Sequence, residues 1–310
     1  MFGPLNPREL VSGSDDYNTQ LLYFTCSSLS ADDRFVYLIS DRTGFPNVFR
    51  RDLETGEEVQ LTHNTHGTLK SYVYFENTPE WGLGKASICL DCTHNQIYYI
   101  QDSHICCSDF EGKERILNTV PNGRMTAFTH VSADGARLCV PMTDSRCLDY
   151  DPDTEGSGLD RRPVYDIDKR VQDEHLNSYL CVYDTNTGNL LYEKTIPDCW
   201  ITHVQFNPAN PEQILYNHEW ASFDCGIRRI WLYDHQKDQI SRVRTEGMEH
   251  NGHMRSRHDW VCHEMWQDDG KAVIYHGAYD QGPAFVGKVD METRDYWEIA
   301  LPDDYNAYGH

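Results

Sequence analysis

Three histidines open predicted strands in the second half of the chain. They are His203 in Thr202-His203-Val204-Gln205-Phe206, His218 in Asn217-His218-Glu219-Trp220, and His263 in Cys262-His263-Glu264-Met265-Trp266. His250, His253 and His258 crowd the segment before the last of these, and Arg228-Arg229 opens the strand Ile230-Trp231-Leu232-Tyr233. Imidazole is the commonest metal ligand and the usual general base near neutral pH. A guanidinium grips a carboxylate through two parallel N–H donors. Together these types suit proton abstraction beside an anionic group. Each also has a plainer reading: a core histidine bonded to a backbone carbonyl, or a solvated strand end in the case of the arginines. Recurrence of histidine at one phase of a repeat favours a site. The chain carries no Ser-His-Asp pattern, phosphate-cradling glycine loop or dinucleotide fingerprint, and its acidic residues are too dispersed to single out a glycosidase pair. Asp41-Arg42-Thr43-Gly44 reads as a turn-stabilising arrangement.

The elements that must position these residues come from a unit that recurs five times. It runs strand, Asp/Asn-Gly-type turn, strand, short gap, then a strand ending in an Asp-x-x-Thr-Gly turn. In the clearest copy Ser30-Ala31-Asp32-Asp33 leads into Phe35-Val36-Tyr37-Leu38-Ile39, and Asn47-Val48-Phe49-Arg50 closes on Asp52-Leu53-Glu54-Thr55-Gly56. The second turn returns at Asp109-Phe110-Glu111-Gly112, Asp184-Thr185-Asn186-Thr187-Gly188, Asp234-His235-Gln236-Lys237 and Asp290-Met291-Glu292-Thr293. Short alternating strands at a period of roughly 40 to 75 residues predict an all-β chain folded as a β-propeller, one domain over the whole length. Inner propeller strands line the central channel, so polar residues at strand openings converge there. The expected blades cover about 21–62, 86–118, 126 onward, 202–244 and 262–300. Residues 1–20 read as an arm or closing strand, and residues 63–84 as a loop packed on the rim. A charged insert over residues 144–177 is expected to hold a short helix near residues 166–172. By the phase of the repeat, His310 stands where a sixth blade would open, so the propeller reads as C-terminally incomplete.

The net charge of −22 argues against a nucleic-acid partner, which needs a basic face. An anionic substrate would require a locally positive pocket. Nothing approaches the ~18 apolar residues of a membrane span, and no signal segment opens the chain. The 11 cysteines are odd in number and scattered, which reads as reduced core thiols of a cytoplasmic protein. Cys89-x-x-Cys92 lacks the second pair that zinc spacing needs.

Several segments resemble the oligogalacturonate lyases. The run Arg51-Asp52-Leu53-Glu54-Thr55-Gly56-Glu57-Glu58-Val59-Gln60-Leu61-Thr62 resembles their opening blade, a match shared with many propellers. Trp200 to Trp231 is similar too, with the His203 strand, Asn217-His218-Glu219 and Arg229-Ile230-Trp231-Leu232. Cys262-His263-Glu264-Met265-Trp266 followed by Asp269-Gly270 matches the most recognisable stretch of that family, and Gly309-His310 matches the opening of the next blade. The resemblance implies a seven-bladed propeller, about five blades of which this chain covers. It implies cleavage of short pectic uronate oligosaccharides by β-elimination in the bacterial cytoplasm, with a manganese-type divalent ion held by histidines and a glutamine. His263 would be the Brønsted base, Arg229 its charge-neutralising partner and His310 the first metal ligand. The remaining ligands of the family, a glutamine and a His-x-His pair, belong to its last blade, which this chain does not reach.

His203, His218, Glu219 and Arg257 are the expected contacts to the acidic oligosaccharide. The segment between Arg229 and His263 is longer than in the family and rich in His250, His253, Arg255, Arg257 and His258, so the substrate preference stays open. The logic of such a site is electrostatic. The C5 proton of a uronate is barely acidic until a cation and a guanidinium stabilise the enolate-like transition state. Two rivals remain: a non-catalytic propeller presenting its face to a protein or glycan, and an enzyme acting on another acidic glycan.

Overall fold

The structure, a computed structural model, describes residues 14–67, 75–76, 82–148, 167–219, 229–244, 249–250, 253–254, 259–279 and 283–302. Five antiparallel sheets follow one another around an axis, as a β-propeller requires. Four are simple four-stranded blades. The first runs Thr19–Leu21, Phe35–Ser40, Asn47–Asp52, Glu58–Gln60, and the second Leu83–Asp91, Gln96–Gln101, His104–Asp109, Glu114–Thr119. The fourth runs Val204–Asn207, Asn210–Asn217, Ile230–Asp234, Gln239–Arg242, and the fifth Asp259–Trp266, Ala272–Tyr279, Ala284–Asp290, Tyr296–Ala300. The third blade has a broken inner strand, Arg124–Thr126 and His130–Val131, followed by Arg137–Asp144, Asn177–Asp184 and Leu190–Pro197.

Residues 1–20 were expected as an arm or closing strand, and Thr19–Leu21 supplies the innermost strand of blade one. The link over residues 63–84 departs from its expected place on the rim. Phe75–Glu76 pairs with Arg124–Thr126 and so extends blade three at its inner edge. The insert holds the expected helix, Ile167–Asp173. Its Ile167 and Val171 pack with Met125, Cys147, Leu148, Leu176 and Trp200.

The blades cohere because each strand feeds two cores. Gln96–Gln101 is buried along Ile97-Tyr98-Tyr99-Ile100 rather than alternating, since its two faces meet two neighbours. Ile97 and Tyr99 pack against Tyr37, Ile39 and Val48 of blade one. Tyr98 and Ile100 pack against Leu138, Val140 and Met142 of blade three. Equivalent cores join blades three and four through Leu180, Val182, Phe206 and Tyr216, and blades four and five through Leu215, Leu232, Val273 and Phe285. Ten cysteines lie among the described residues, all of them free thiols and seven of them buried.

The repeated aspartates act as turn locks. The side-chain Oδ1 of Asp52 accepts from the amides of Glu54 and Thr55, that of Asp184 from Asn186 and Thr187, and that of Asp290 from Glu292 and Thr293. Backbone amides aimed at these carboxylates hold all three below the usual carboxylate range.

Blade five is packed on one face. Val273, Tyr275, Phe285 and Val289 are buried against blade four, while Trp297 and Ile299 on the outer strand are 51% and 57% exposed. Tyr275 lies over Gly287, directly opposite it in the sheet, and its hydroxyl donates to Glu298, which also pairs with Arg244. A Cβ at position 287 would fall 2.4 Å from the ring of Tyr275. Gly287→Ala must therefore tilt a ring held at its tip and around its edge. The expected cost is about 1–3 kcal/mol, read as a lower denaturant midpoint at unchanged slope. An unchanged midpoint would show that Tyr275 has room to move.

Candidate active site

Each inner strand loses its regular pairing at one level of the propeller. In blade one the ladder stops after Leu21 and resumes at Leu29. In blade two the register shifts between Gly84 and Cys89. Blade three breaks between Thr126 and His130, and in blade four Thr202 and His203 precede the strand Val204–Asn207. In blade five the register shifts between Cys262 and Met265. Breaks and bulges of this kind turn side chains that a regular strand would send into the inter-blade cores.

In blade five, His263 and Glu264 together oppose the single residue Tyr275, and His263 takes a φ of 50°. Every other non-glycine with positive φ among the described residues lies in a turn or connection: Asp33, Asn95, Asp102, His175, Asp198, Asp238 and Arg294. Histidine in the left-handed region inside a strand carries a conformational cost, and such costs cluster where function demands a direction. The bulge sends two neighbouring side chains apart. Glu264 turns toward blade four, and His263 meets its own blade's second strand, its Nδ1 2.8 Å from Nε2 of His276.

Glu264 is the centre of a buried ionic group. Its Oε1 lies 2.8 Å from Nε2 of His203, and these side chains are 0% and 1% exposed. Its Oε2 accepts from Nε of Arg229 at 3.3 Å. The Nη1 of Arg229 donates to Oε1 of Glu219 at 2.5 Å. Glu219 Oε2 in turn accepts from Thr202 Oγ1 at 3.0 Å and Asn217 Nδ2 at 3.2 Å. The Asn217 side-chain oxygen takes the amides of Thr202 and His203 and so fixes the strand opening itself. Burial opposes a charge on Glu264, but His203 and Arg229 outweigh it and bring its pKa down to about 2. Burial likewise opposes the charges of Glu219 and Arg229, and their mutual attraction wins, holding the carboxyl low and the guanidinium high.

Aromatic rings from blade one cover this group. Phe24 presents its edge to His263 and His203 at centroid distances of 4.5 and 5.4 Å. Tyr23 stacks on Phe128 at 3.7 Å. Both blade-one rings come from the segment where the inner ladder is interrupted.

The structure thus brings His203, Glu219, Arg229 and His263 to one end of the channel. Of the other expected contacts, His218 is 7% exposed. Its Nε2 has no hydrogen-bond partner among the described residues, and burial brings its pKa down to about 4. Arg257 and His310 lie outside the described residues. Glu264, His276, Tyr23 and Phe24 belong to the group although no role fell to them in the sequence. Glu264 had a signal: a carboxylate inside Cys262-His263-Glu264-Met265-Trp266 has to be buried with a partner or re-aimed. His276 had none, because it follows Ile274-Tyr275 like any outward strand residue.

One group of three potential ligands lies close enough to hold an ion: the ligand atoms of Cys262, His263 and His276 are all within 4.8 Å of one another. A thiol with two imidazoles is a donor set for zinc-like metals, and manganese prefers carboxylate, carbonyl and water oxygens. The described residues therefore do not supply a manganese cage.

No family model matches the chain, and no curated protein does. Solved structures do. A structure of oligogalacturonate lyase in complex with manganese aligns with a TM-score of 0.67 at 18% identity, over 91% of this chain and 66% of that one. An oligogalacturonate lyase from Vibrio parahaemolyticus aligns with a TM-score of 0.69 at 18% identity, over 94% of this chain and 68% of that one. A prolyl endopeptidase aligns at 0.50 and 11% identity, over 95% of this chain and 36% of that one. The chain spans about two thirds of the length of these lyases. At such identities the likeness is one of fold, a β-propeller that also serves unrelated enzymes. No helix among the described residues is long and apolar enough to cross a membrane.

Proposed function

We propose that this chain is a lyase of pectic uronate oligosaccharides. It removes the proton at C5 of a galacturonate-type residue and expels the glycosidic oxygen at C4, leaving a 4,5-unsaturated sugar. The observation that carries this reading is the placement of His263. A bulge holds its imidazole at the channel end of blade five, in a backbone conformation adopted at some cost. A second imidazole binds its Nδ1 and directs Nε2 to the proton it takes. A base fixed by an orienting partner is the arrangement that proton abstraction needs.

The electrons of the C5–H bond form the C4=C5 bond as the C4–O bond breaks, and the departing oxygen gains a proton from solvent. The ring of Phe24, set edge-on to His263, offers an apolar surface on which the faces of a sugar ring can rest. Arg229 serves as the charge-neutralising partner through Glu264 and Glu219, and its charge reaches Cys262 and Tyr23. His203 and Glu219 position that arginine rather than the sugar, and His218 and Arg257 remain the proposed outer contacts. The fold likeness to a manganese-bound lyase supports a divalent ion, most simply manganese at His310, while the steps above belong to the chain's own residues. A cytoplasmic setting, suited to free thiols, belongs to the same proposal.

Oligogalacturonate incubated with the chain and manganese is expected to show a rise in ultraviolet absorbance as the double bond conjugates with the carboxylate. No rise on any uronate oligosaccharide of a panel, from a folded protein, would overturn the proposal and favour a binding propeller.

A further inference from the structure

We infer that Cys262, His263 and His276 form a binding site for a zinc-like divalent cation, and that its occupation silences the proposed base. The pairing that brings them together is explicit. Cys262 faces His276 across the first two strands of blade five, and residues directly opposite in a sheet share a face. In a regular strand His263 would point to the other face. Its positive φ and the two-against-one bulge swing it back, so that its Nδ1 lies 2.8 Å from Nε2 of His276. The three ligand atoms fall within 4.8 Å of one another, and all three residues are half-buried, open to an entering ion.

Tetrahedral zinc has its Zn–S bond near 2.3 Å and Zn–N bonds near 2.0–2.1 Å, which sets ligand atoms about 3.3–3.6 Å apart. Small side-chain rotations reach that geometry from the observed cluster. The ion would exchange the hydrogen bond between the imidazoles for two coordinate bonds and take the Cys262 sulfur as thiolate, releasing its proton to solvent. The fourth position stays open to water, as in three-ligand sites generally. The donor set is too soft for manganese. The chain would then discriminate between two ions: manganese supports the proposed elimination, and zinc competes with the substrate proton for His263. This second clause rests on the reading of His263 as the base, whereas the binding site does not.

Cobalt titration into the protein tests the site by a readout independent of turnover. Binding is expected to produce a near-ultraviolet thiolate-to-cobalt charge-transfer band with visible d–d bands of tetrahedral intensity, both bleached by added zinc. Cys262→Ser is expected to remove the charge-transfer band, and His276→Ala to weaken cobalt binding by at least about tenfold. Absence of the band in the wild-type protein, or its persistence in a folded Cys262→Ser variant, would overturn the site. A protein that binds cobalt in this way yet cleaves no uronate would sink only the lyase reading. One that cleaves at an unchanged rate with zinc bound would sink the silencing clause alone.

Discussion

Replacing His263 by glycine is expected to abolish elimination while leaving the protein at least as stable as before. The two halves of this result have separate causes. General-base assistance is worth about 10²–10⁴ in rate, and no neighbouring group can inherit it. Glu264 is held by His203 and Arg229, and His276 faces His263 from the wrong side of its ring. The stability half comes from the backbone. His263 sits at a φ of 50°, where an L-residue gives up about 1–2 kcal/mol relative to the right-handed regions. Glycine occupies that region freely, at an entropic cost of about 0.5–1 kcal/mol. The lost contacts are the edge of Phe24 and one hydrogen bond to His276, both in a half-buried place. The balance lies near zero or slightly favourable. His263→Ala, which keeps the strain without the ring, should lose the same activity and be less stable than His263→Gly. Steady-state rates on oligogalacturonate and denaturant midpoints for both variants measure this. A glycine variant within tenfold of wild-type turnover would remove His263 as the base. A glycine variant several kcal/mol less stable would mean that the imidazole holds the blade together.

What could be read from the sequence follows from how far a signal travels along the chain. The propeller was legible because each blade repeats turn chemistry that local hydrogen bonds enforce. Ser30 and Ser132 both bond an aspartate two residues on, and Asp52, Asp184 and Asp290 each cap their own turn. These are contacts over two or three residues, visible as spacing. The path of residues 63–84 was not legible, because Phe75–Glu76 finds its partner in Arg124–Thr126, about one blade further on. The site divides the same way. His203, Arg229 and His263 were found because the repeat marks strand openings. The link between His203 and Glu264 spans 61 residues, and that between Arg229 and Glu264 spans 35. No periodicity encodes them. The bulge that separates the directions of His263 and Glu264 was equally hidden, since alternation predicts opposite faces but not which neighbour each side chain meets. Arg229 was expected to receive a substrate carboxylate. Instead it meets two internal carboxylates, because a guanidinium buried this deeply must be neutralised whether or not a substrate is bound.

Glu264 is where the larger structural loss is expected. Glu264→Ala should lower stability by about 3–5 kcal/mol, the range for breaking a buried pair by deleting one partner. The deletion leaves His203, 1% exposed, facing a void at Nε2, and takes from Arg229 one of its two carboxylates. Glu219 remains to answer the guanidinium, so the cost should fall toward the lower end if Arg229 were the main loser and toward the upper end if His203 were. Glu264→Gln separates these. Its amide oxygen can still accept from one partner, and its volume fills the space, so only the charge is lost. A glutamine variant recovering at least half of the alanine deficit would assign the larger share to packing and hydrogen bonding. One as unstable as alanine would assign it to charge. With total stabilities of domains near 5–15 kcal/mol, the alanine loss is large enough to read directly from urea midpoints at constant slope. A double-mutant cycle with His203→Ala should return a coupling of at least about 1 kcal/mol, since the two side chains share one buried contact. A cycle that closes to zero would mean that blades four and five are joined at this level by Arg229 alone, and that the imidazole of His203 is a passenger in the group.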